Sequence, residues 1–151
     1  MTVFNGEYQE VFTVDVPTNR AKAVFADLDN IGQCYDNIHR YEKLDADTLR
    51  IALKPQKALN VTFVGTHDVL TRWEGDEVLA WQSKKGVGNI YAEGRARFTP
   101  ISDTQTRIDY LDRLSLDIDI NRLVAKALTP IVRRGIEQGV RAYLQRMRAR
   151  L

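Results

Sequence analysis

Apolar residues recur in steps of three and four along the last fifth of the chain: Ile120, Leu123, Val124, Ala127, Leu128, Ile131, Val132, Ile136, Val140, Tyr143, Leu144 and Met147. This spacing predicts a long helix with one apolar face over residues 120–151. About 30 residues rising about 1.5 Å each make a rod of roughly 45 Å, which needs a broad partner. Pro130 falls inside the pattern and removes one helical hydrogen bond. Thr129-Pro130 also reads as an N-cap followed by proline at the first helical position. One kinked helix, or a short helix followed by a long one, both fit. Gly135 and Gly139 lie four apart on this helix. They fit either tight packing on a sheet or close approach of another backbone or a ligand.

Earlier segments alternate with period two. Residues 8–16 put Phe12, Val14 and Val16 on one face, and Pro17 ends that strand. Thr18 then caps a short helix through Ala21, Val24, Phe25 and Leu28, and a second short helix or turn covers residues 31–38. Residues 41–44 and 48–53 flank Asp45-Ala46-Asp47 as a hairpin. Residues 59–73 read as one long strand. Leu59, Val61, Phe63, Gly65, His67, Val69, Thr71 and Trp73 form its more apolar, inward set. Residues 78–83 form a strand containing Trp81, and 84–89 form a glycine-containing loop. Residues 90–100 direct Ala92, Gly94, Ala96 and Phe98 one way. Residues 106–119 group Ile108, Tyr110, Asp112, Leu114 and Leu116. Successive strands with short turns favour an antiparallel meander. The fold class is therefore α+β: a curved antiparallel sheet of about seven strands around a long C-terminal helix, with two short helices after strand 1. The chain is expected to be a single domain over residues 1–151.

Composition changes this picture little. At 44% apolar and 28% charged the chain is ordinary for a folded domain. No run is apolar enough to span a bilayer, and the N-terminus lacks the basic and apolar regions of a signal peptide. Cys34 is the single cysteine, so no internal disulfide forms and a cytoplasmic location is expected. Asn60-Val61-Thr62 matches a glycosylation acceptor, read as chance without a secretion signal. Charge is uneven. Residues 121–151 hold eight Lys or Arg against one Glu, leaving 14 basic and 19 acidic residues elsewhere. Arg141, Arg146, Arg148 and Arg150 crowd the end, where they complement the helix dipole. They also suit an anionic membrane surface or an acidic protein face, giving a membrane-peripheral alternative. Nucleic acid is not expected, because the basic stripe lacks aromatics to stack bases.

The early strand ending in Val-Pro and the following Val-Phe-Ala-Asp-Leu helix make a recognisable opening. Leu-Ala-Trp-Gln-Ser follows in mid-chain, then the strands Gly-Arg-Ala-Arg-Phe-Thr-Pro and Thr-Arg-Ile-Asp-Tyr, and last the long helix. In this order they resemble the START-like superfamily, also called SRPBCC or helix-grip. The branch is the one with polyketide cyclases, coenzyme Q-binding proteins and lipid-transport domains. The resemblance covers nearly the whole chain, through packing patterns rather than catalytic signatures. It implies an apolar cavity between sheet and helix for a lipid, quinone or polyketide-like molecule. It carries no universal catalytic residue and no cofactor. Inward positions offer Phe63, His67, Trp81, Phe98, Tyr110, Leu128 and Ile131 as candidate ligand contacts.

Candidate chemistry is sparse. Gly86-Val87-Gly88 begins like a dinucleotide fingerprint, but Tyr91 occupies the third glycine's place and a strand follows. No Walker loop, zinc-protease motif or Gly-x-Ser-x-Gly elbow is present. His39 and His67 are the only histidines and have no cysteine partners, so no metal site is expected. His67 reads as a satisfied core histidine, a polar anchor for a ligand, or a general acid or base. Asp112, on an otherwise apolar face, must be paired, wetted or raised in pKa. Tyr110 and Trp81 present apolar bodies with polar tips. An enzyme would draw on His67 with Asp112 or Tyr110. A carrier would use the same groups to orient its guest. Whether the chain is an enzyme stays open at this level. Cys34 has no base placed beside it.

Overall fold

The computed structural model describes residues 2–151. Its core is a curled antiparallel sheet in the order β1-β9-β8-β7-β6-β3-β2. The strands are β1 (Thr2–Val14), β2 (Ile38–Lys43), β3 (Thr48–Leu53), β6 (Thr66–Glu74), β7 (Val78–Gly88), β8 (Ile90–Ser102) and β9 (Gln105–Ile118). Two short strands, β4 (Gln56–Ala58) and β5 (Val61–Phe63), form a separate hairpin. Helices α1 (Thr18–Ala26) and α2 (Leu28–Cys34) follow β1, and α3 (Arg122–Arg148) ends the chain. The α+β helix-grip expectation is met: seven strands, two short helices after the first strand, one long terminal helix.

The differences are local and have physical reasons. β1 starts at Thr2 because β9 pairs with it as far as Ile118. Pro17, not Thr18, precedes α1, and it makes no side-chain cap. Thr18 instead pairs its hydroxyl with that of Thr106 at 2.9 Å. α2 begins earlier than expected because the Asp27 carboxylate accepts the Asn30 N–H at 2.9 Å. Residues 59–73 are not one strand. Leu59 and Asn60 both have positive φ and turn the β4–β5 hairpin, leaving Leu59 exposed rather than inward. Trp73 is also partly exposed, with the Lys22 ammonium 5.1 Å from its ring. β7 runs through the expected loop to Gly88. The pairing jumps from Val69↔Ser83 to His67↔Gly88, so residues 84–87 bulge outward. Gly88 has φ +74, and a Cβ there would lie 2.1 Å from the Thr66 carbonyl oxygen, so only glycine fits.

Pro130 sits within one continuous α3. Thr129 does not start a helix; its hydroxyl donates to the Ala125 carbonyl at 2.9 Å. Asn121 supplies the true cap, accepting the Val124 N–H at 3.0 Å.

Packing is divided between two clusters. The larger lies under α1, α2 and the C-terminal half of α3, where Val140, Leu144 and Met147 meet Phe25, Leu49, Ile51 and Ile108. The smaller gathers Ala125, Leu128 and Val132 of α3 with Phe4 and Ile118, and the β4–β5 hairpin closes over it through Ala58, Val61 and Phe63. Between the clusters the apolar stripe of α3 is broken by Gly135 and Gly139. A Cβ at Gly135 would meet nothing within 4 Å, and one at Gly139 would only touch Asp36 at 4.0 Å. These glycines border open space and do not pack tightly on the sheet. Glycine inside a helix costs about 1 kcal/mol relative to alanine. Gly135→Ala is therefore expected to stabilise the fold by about 1 kcal/mol, an increase of about 2–4 °C in Tm by calorimetry.

Candidate functional site

The open space between the clusters is a cavity of about 510 Å³. Its walls come from the concave face of the sheet, from α2 and from the middle of α3. Val69 and Thr71 on β6, Leu79 on β7, Ile90 on β8 and Leu114 and Leu116 on β9 supply a mostly apolar surface. The alternation of these strands turns every second side chain to the interior.

Two polar groupings interrupt that surface. In the first, His67 is fully buried. Its Nδ1 lies 2.7 Å from Ser83 Oγ and its Nε2 lies 3.2 Å from Tyr35 Oη. Ser83 Oγ also accepts the Ala92 N–H at 2.8 Å. Burial pushes the His67 pKa down to about 4, so the ring is neutral. A neutral imidazole has one donor and one acceptor. Ser83 is buried and has no other acceptor for its proton, so it donates to Nδ1. Nε2–H then donates to Tyr35 Oη. This assignment leaves the Tyr35 O–H free to donate into the cavity, where the residue forms part of the wall. Tyr143 stands edge-on to Tyr35, ring centroids 5.7 Å apart, and its hydroxyl has no hydrogen-bond partner among the described residues. Desolvation raises the pKa of both phenols, so both remain protonated donors.

The second grouping surrounds Asp112. Trp81 Nε1–H donates to Asp112 Oδ1 at 3.0 Å, and Tyr110 O–H points at Oδ2 from 3.5 Å. Burial raises the Asp112 pKa to about 7, against the lowering effect of those two donors and a backbone N–H. The carboxyl is thus poised between its neutral and charged forms at neutral pH.

The candidates from the sequence divide. Phe63, His67, Trp81, Tyr110, Asp112 and Ile131 all border the cavity. Phe98 and Leu128 do not. Phe98 packs edge-on against Phe25, centroids 5.5 Å apart, at the end covered by α1. Leu128 is fully buried in the smaller cluster. His67 does not pair with Asp112: both its ring nitrogens are engaged by Ser83 and Tyr35. His67 thus forms part of the wall and, through its Nε2, also positions the Tyr35 hydroxyl. Tyr35 and Tyr143 were not singled out from the sequence. Ser83 was not either, although it shares a strand face with Leu79 and Trp81. His39 is exposed. Cys34 is buried, and desolvation raises its thiol pKa.

The C-terminal arginines have partners within the chain. Arg146 pairs with Asp36 at 3.1 Å, and Arg148 pairs with Glu10 and lies over the Phe12 ring. Arg150 donates to Asn30 and Gln33, and Arg141 lies over Tyr8. Among the described residues, no helix is long and apolar enough to cross a membrane.

Residues 6–151 match the family model described as polyketide cyclase / dehydrase and lipid transport. The chain belongs to that family. A search of curated proteins finds no match. Similar solved structures support the same fold for this polyketide cyclase / dehydrase and lipid transport member. One is a START superfamily protein from Mycobacterium smegmatis, 10% identical, covering 95% of each chain with a TM-score of 0.68. Another is the Zhui aromatase/cyclase from Streptomyces sp. R1128, 11% identical, covering 97% of this chain and 93% of that one, TM-score 0.71. A third is norcoclaurine synthase from Thalictrum flavum in complex with dopamine and hydroxybenzaldehyde. It is 9% identical and covers 97% of this chain and 86% of that one, with a TM-score of 0.61.

Proposed function

We propose that this protein binds and carries a hydrophobic small molecule with hydrogen-bond-accepting oxygens, lipid-, quinone- or polyketide-like, in the cavity between sheet and α3. The observation that carries this reading is the cavity itself, about 510 Å³, with an apolar wall into which Tyr35 and Tyr143 offer unclaimed donors. That size falls within the usual range for small-molecule sites, and a few placed polar groups are enough to orient a guest. No cation reaches the buried part of the wall, so a carboxylate or phosphate would find no partner there. A carbonyl or hydroxyl oxygen would.

Mass spectrometry of an organic extract of the purified protein tests the proposal, together with thermal shifts against quinones, aromatic polyketide-like ketones and long-chain alcohols. A guest at 100 times its Kd adds about 2.7 kcal/mol, or roughly 5–10 °C in Tm. An empty extract together with a flat panel would sink the idea. Tyr35→Phe removes the phenolic donor while keeping the ring. It is expected to weaken a carbonyl-bearing guest about tenfold in a titration, and to leave a plain hydrocarbon probe unaffected.

A second reading has its own support in Asp112. A carboxyl with a pKa of about 7 inside an apolar cavity suits general acid–base work, as in a cyclase or dehydratase. Two of the similar folds, the aromatase/cyclase and norcoclaurine synthase, are enzymes by name. In that case Asp112 transfers the proton, Tyr35 holds the carbonyl oxygen, and His67 fixes Tyr35. Turnover of a candidate ketone with a bell-shaped pH profile would favour catalysis over carriage.

A further inference from the structure

The cavity wall carries charge in an ordered way. Of its charged side chains, Lys57 on β4 and Arg134 on α3 are exposed and stand at the mouth. Neither has an ion-pair partner among the described residues. The acidic side chain at the mouth, Asp36, is already paired with Arg146 at 3.1 Å. The remaining acidic wall residue, Asp112, lies deep in the cavity and is engaged by Trp81. The mouth thus keeps two uncommitted positive charges, one from β4 and one from α3. Gly135 follows Arg134 directly, and the space where its side chain would project is open. An incoming group can therefore approach the helix backbone beside the guanidinium.

We infer that the mouth is an anion-binding rim, and that the guest is an anionic amphiphile: its apolar, carbonyl-bearing body enters the cavity and its oxyanion stays outside, held by Lys57 and Arg134. This rests on the proposed carrier function and adds the guest's direction and the chemistry of its outer end. The reasoning combines two opposite selections. The interior offers donors but no cation, so it excludes a fixed negative charge. The rim offers cations in partial solvent, where an oxyanion keeps some hydration and gains charge-assisted hydrogen bonds, with the guanidinium able to grip two oxygens. The shared chemistry is a carboxylate or phosphate on the end of an apolar body, and the two are separated by the choice of probe.

The test uses the full chain and three probes with one tail: dodecanoate, dodecyl phosphate and dodecanol, each below its micelle-forming concentration. Affinities are read by displacement of a fluorescent apolar dye from the cavity. Wild type is expected to bind at least one of the two anions about tenfold more tightly than dodecanol, with the ratio falling towards one as salt rises to about 1 M. The phosphate-to-carboxylate ratio then states which oxyanion the rim prefers. Lys57→Gln with Arg134→Gln is expected to bind all three probes with one affinity. A wild type that binds anion and alcohol equally, at every salt concentration, overturns the rim. So does a double variant that keeps the full preference. In both of those cases binding persists, so the carrier reading stands. Failure of both anions to displace the dye also overturns the rim, while the carrier reading falls only with an empty extract and a flat panel.

Discussion

Leu114→Trp is expected to abolish guest binding, by at least about 100-fold, while the protein stays folded. Leu114 lies on β9, borders the cavity and is only partly buried where it packs at the edge of the larger cluster. Overfilling a close-packed core costs about 1–3 kcal/mol because the neighbours must move. Here the indole extends into free space, so the stability change should stay within about 1 kcal/mol. The guest loses the same space and the oily surface behind it. Titration with any ligand found in the extract, beside a urea melt of the same sample, separates the two effects. A tight-binding and stable Leu114→Trp protein would show that the guest lies elsewhere.

Asp112→Asn is expected to turn a nearly level stability profile between about pH 4 and 7 into one that falls towards acid. Folded Asp112 keeps its proton up to about pH 7, whereas in the unfolded chain it ionises near the ordinary 3.8. Its contribution is therefore complete below pH 3.8 and is lost as pH rises through 7, a fall of up to about 4 kcal/mol. His67 works in the other direction. Folded, it stays neutral down to about pH 4, while the unfolded imidazole is protonated below about 6.5. Its contribution is present above pH 6.5 and is lost as pH falls through 4, by about 3 kcal/mol. In the wild type the two slopes oppose each other between about pH 4 and 7, so stability there should be nearly level. Asparagine keeps the acceptor for Trp81 Nε1–H but cannot ionise. The variant should gain up to about 4 kcal/mol at pH 8, gain little at pH 4, and weaken steadily towards acid. Urea melts at pH 4, 6 and 8 read this directly. A profile parallel to the wild type would mean that Asp112 is ionised in the folded chain.

Much of the architecture was legible because it rests on periodicity. The step of three and four along α3 and the alternation of β8 and β9 survive any local detail. The β4–β5 hairpin was hidden because residues 59–73 alternate without interruption. Only the backbone shows the break, through positive φ at Leu59 and Asn60, which non-glycine residues seldom adopt. The cavity wall was partly legible. Alternation says which face a residue takes but not where along the sheet it falls. Phe98 and Tyr110 both point inward, yet α1 covers the first, whereas the second lies against Trp81 at the cavity. Tyr35 escaped because it follows a helix of only seven residues, too short to define a face. Its importance comes from His67, a partner 32 positions away that pairing of strands and helices brings within reach. Ser83 was within reach of the pattern, two positions beyond Trp81 on the same strand face.

Gly135 and Gly139 make the rod, not the wall, the adjustable part of this container. The sheet side of the wall is assembled from five strands, β3 and β6 to β9, and altering one position disturbs neighbours on both sides. The rod offers two bare sites where a methyl, a thiol or an isopropyl group could be added with little disturbance to the sheet. Each addition would narrow the bore at one chosen height. Guest thickness can thus be tuned by a single residue swap on one face of α3, like a gauge set by changing the pin rather than the sleeve.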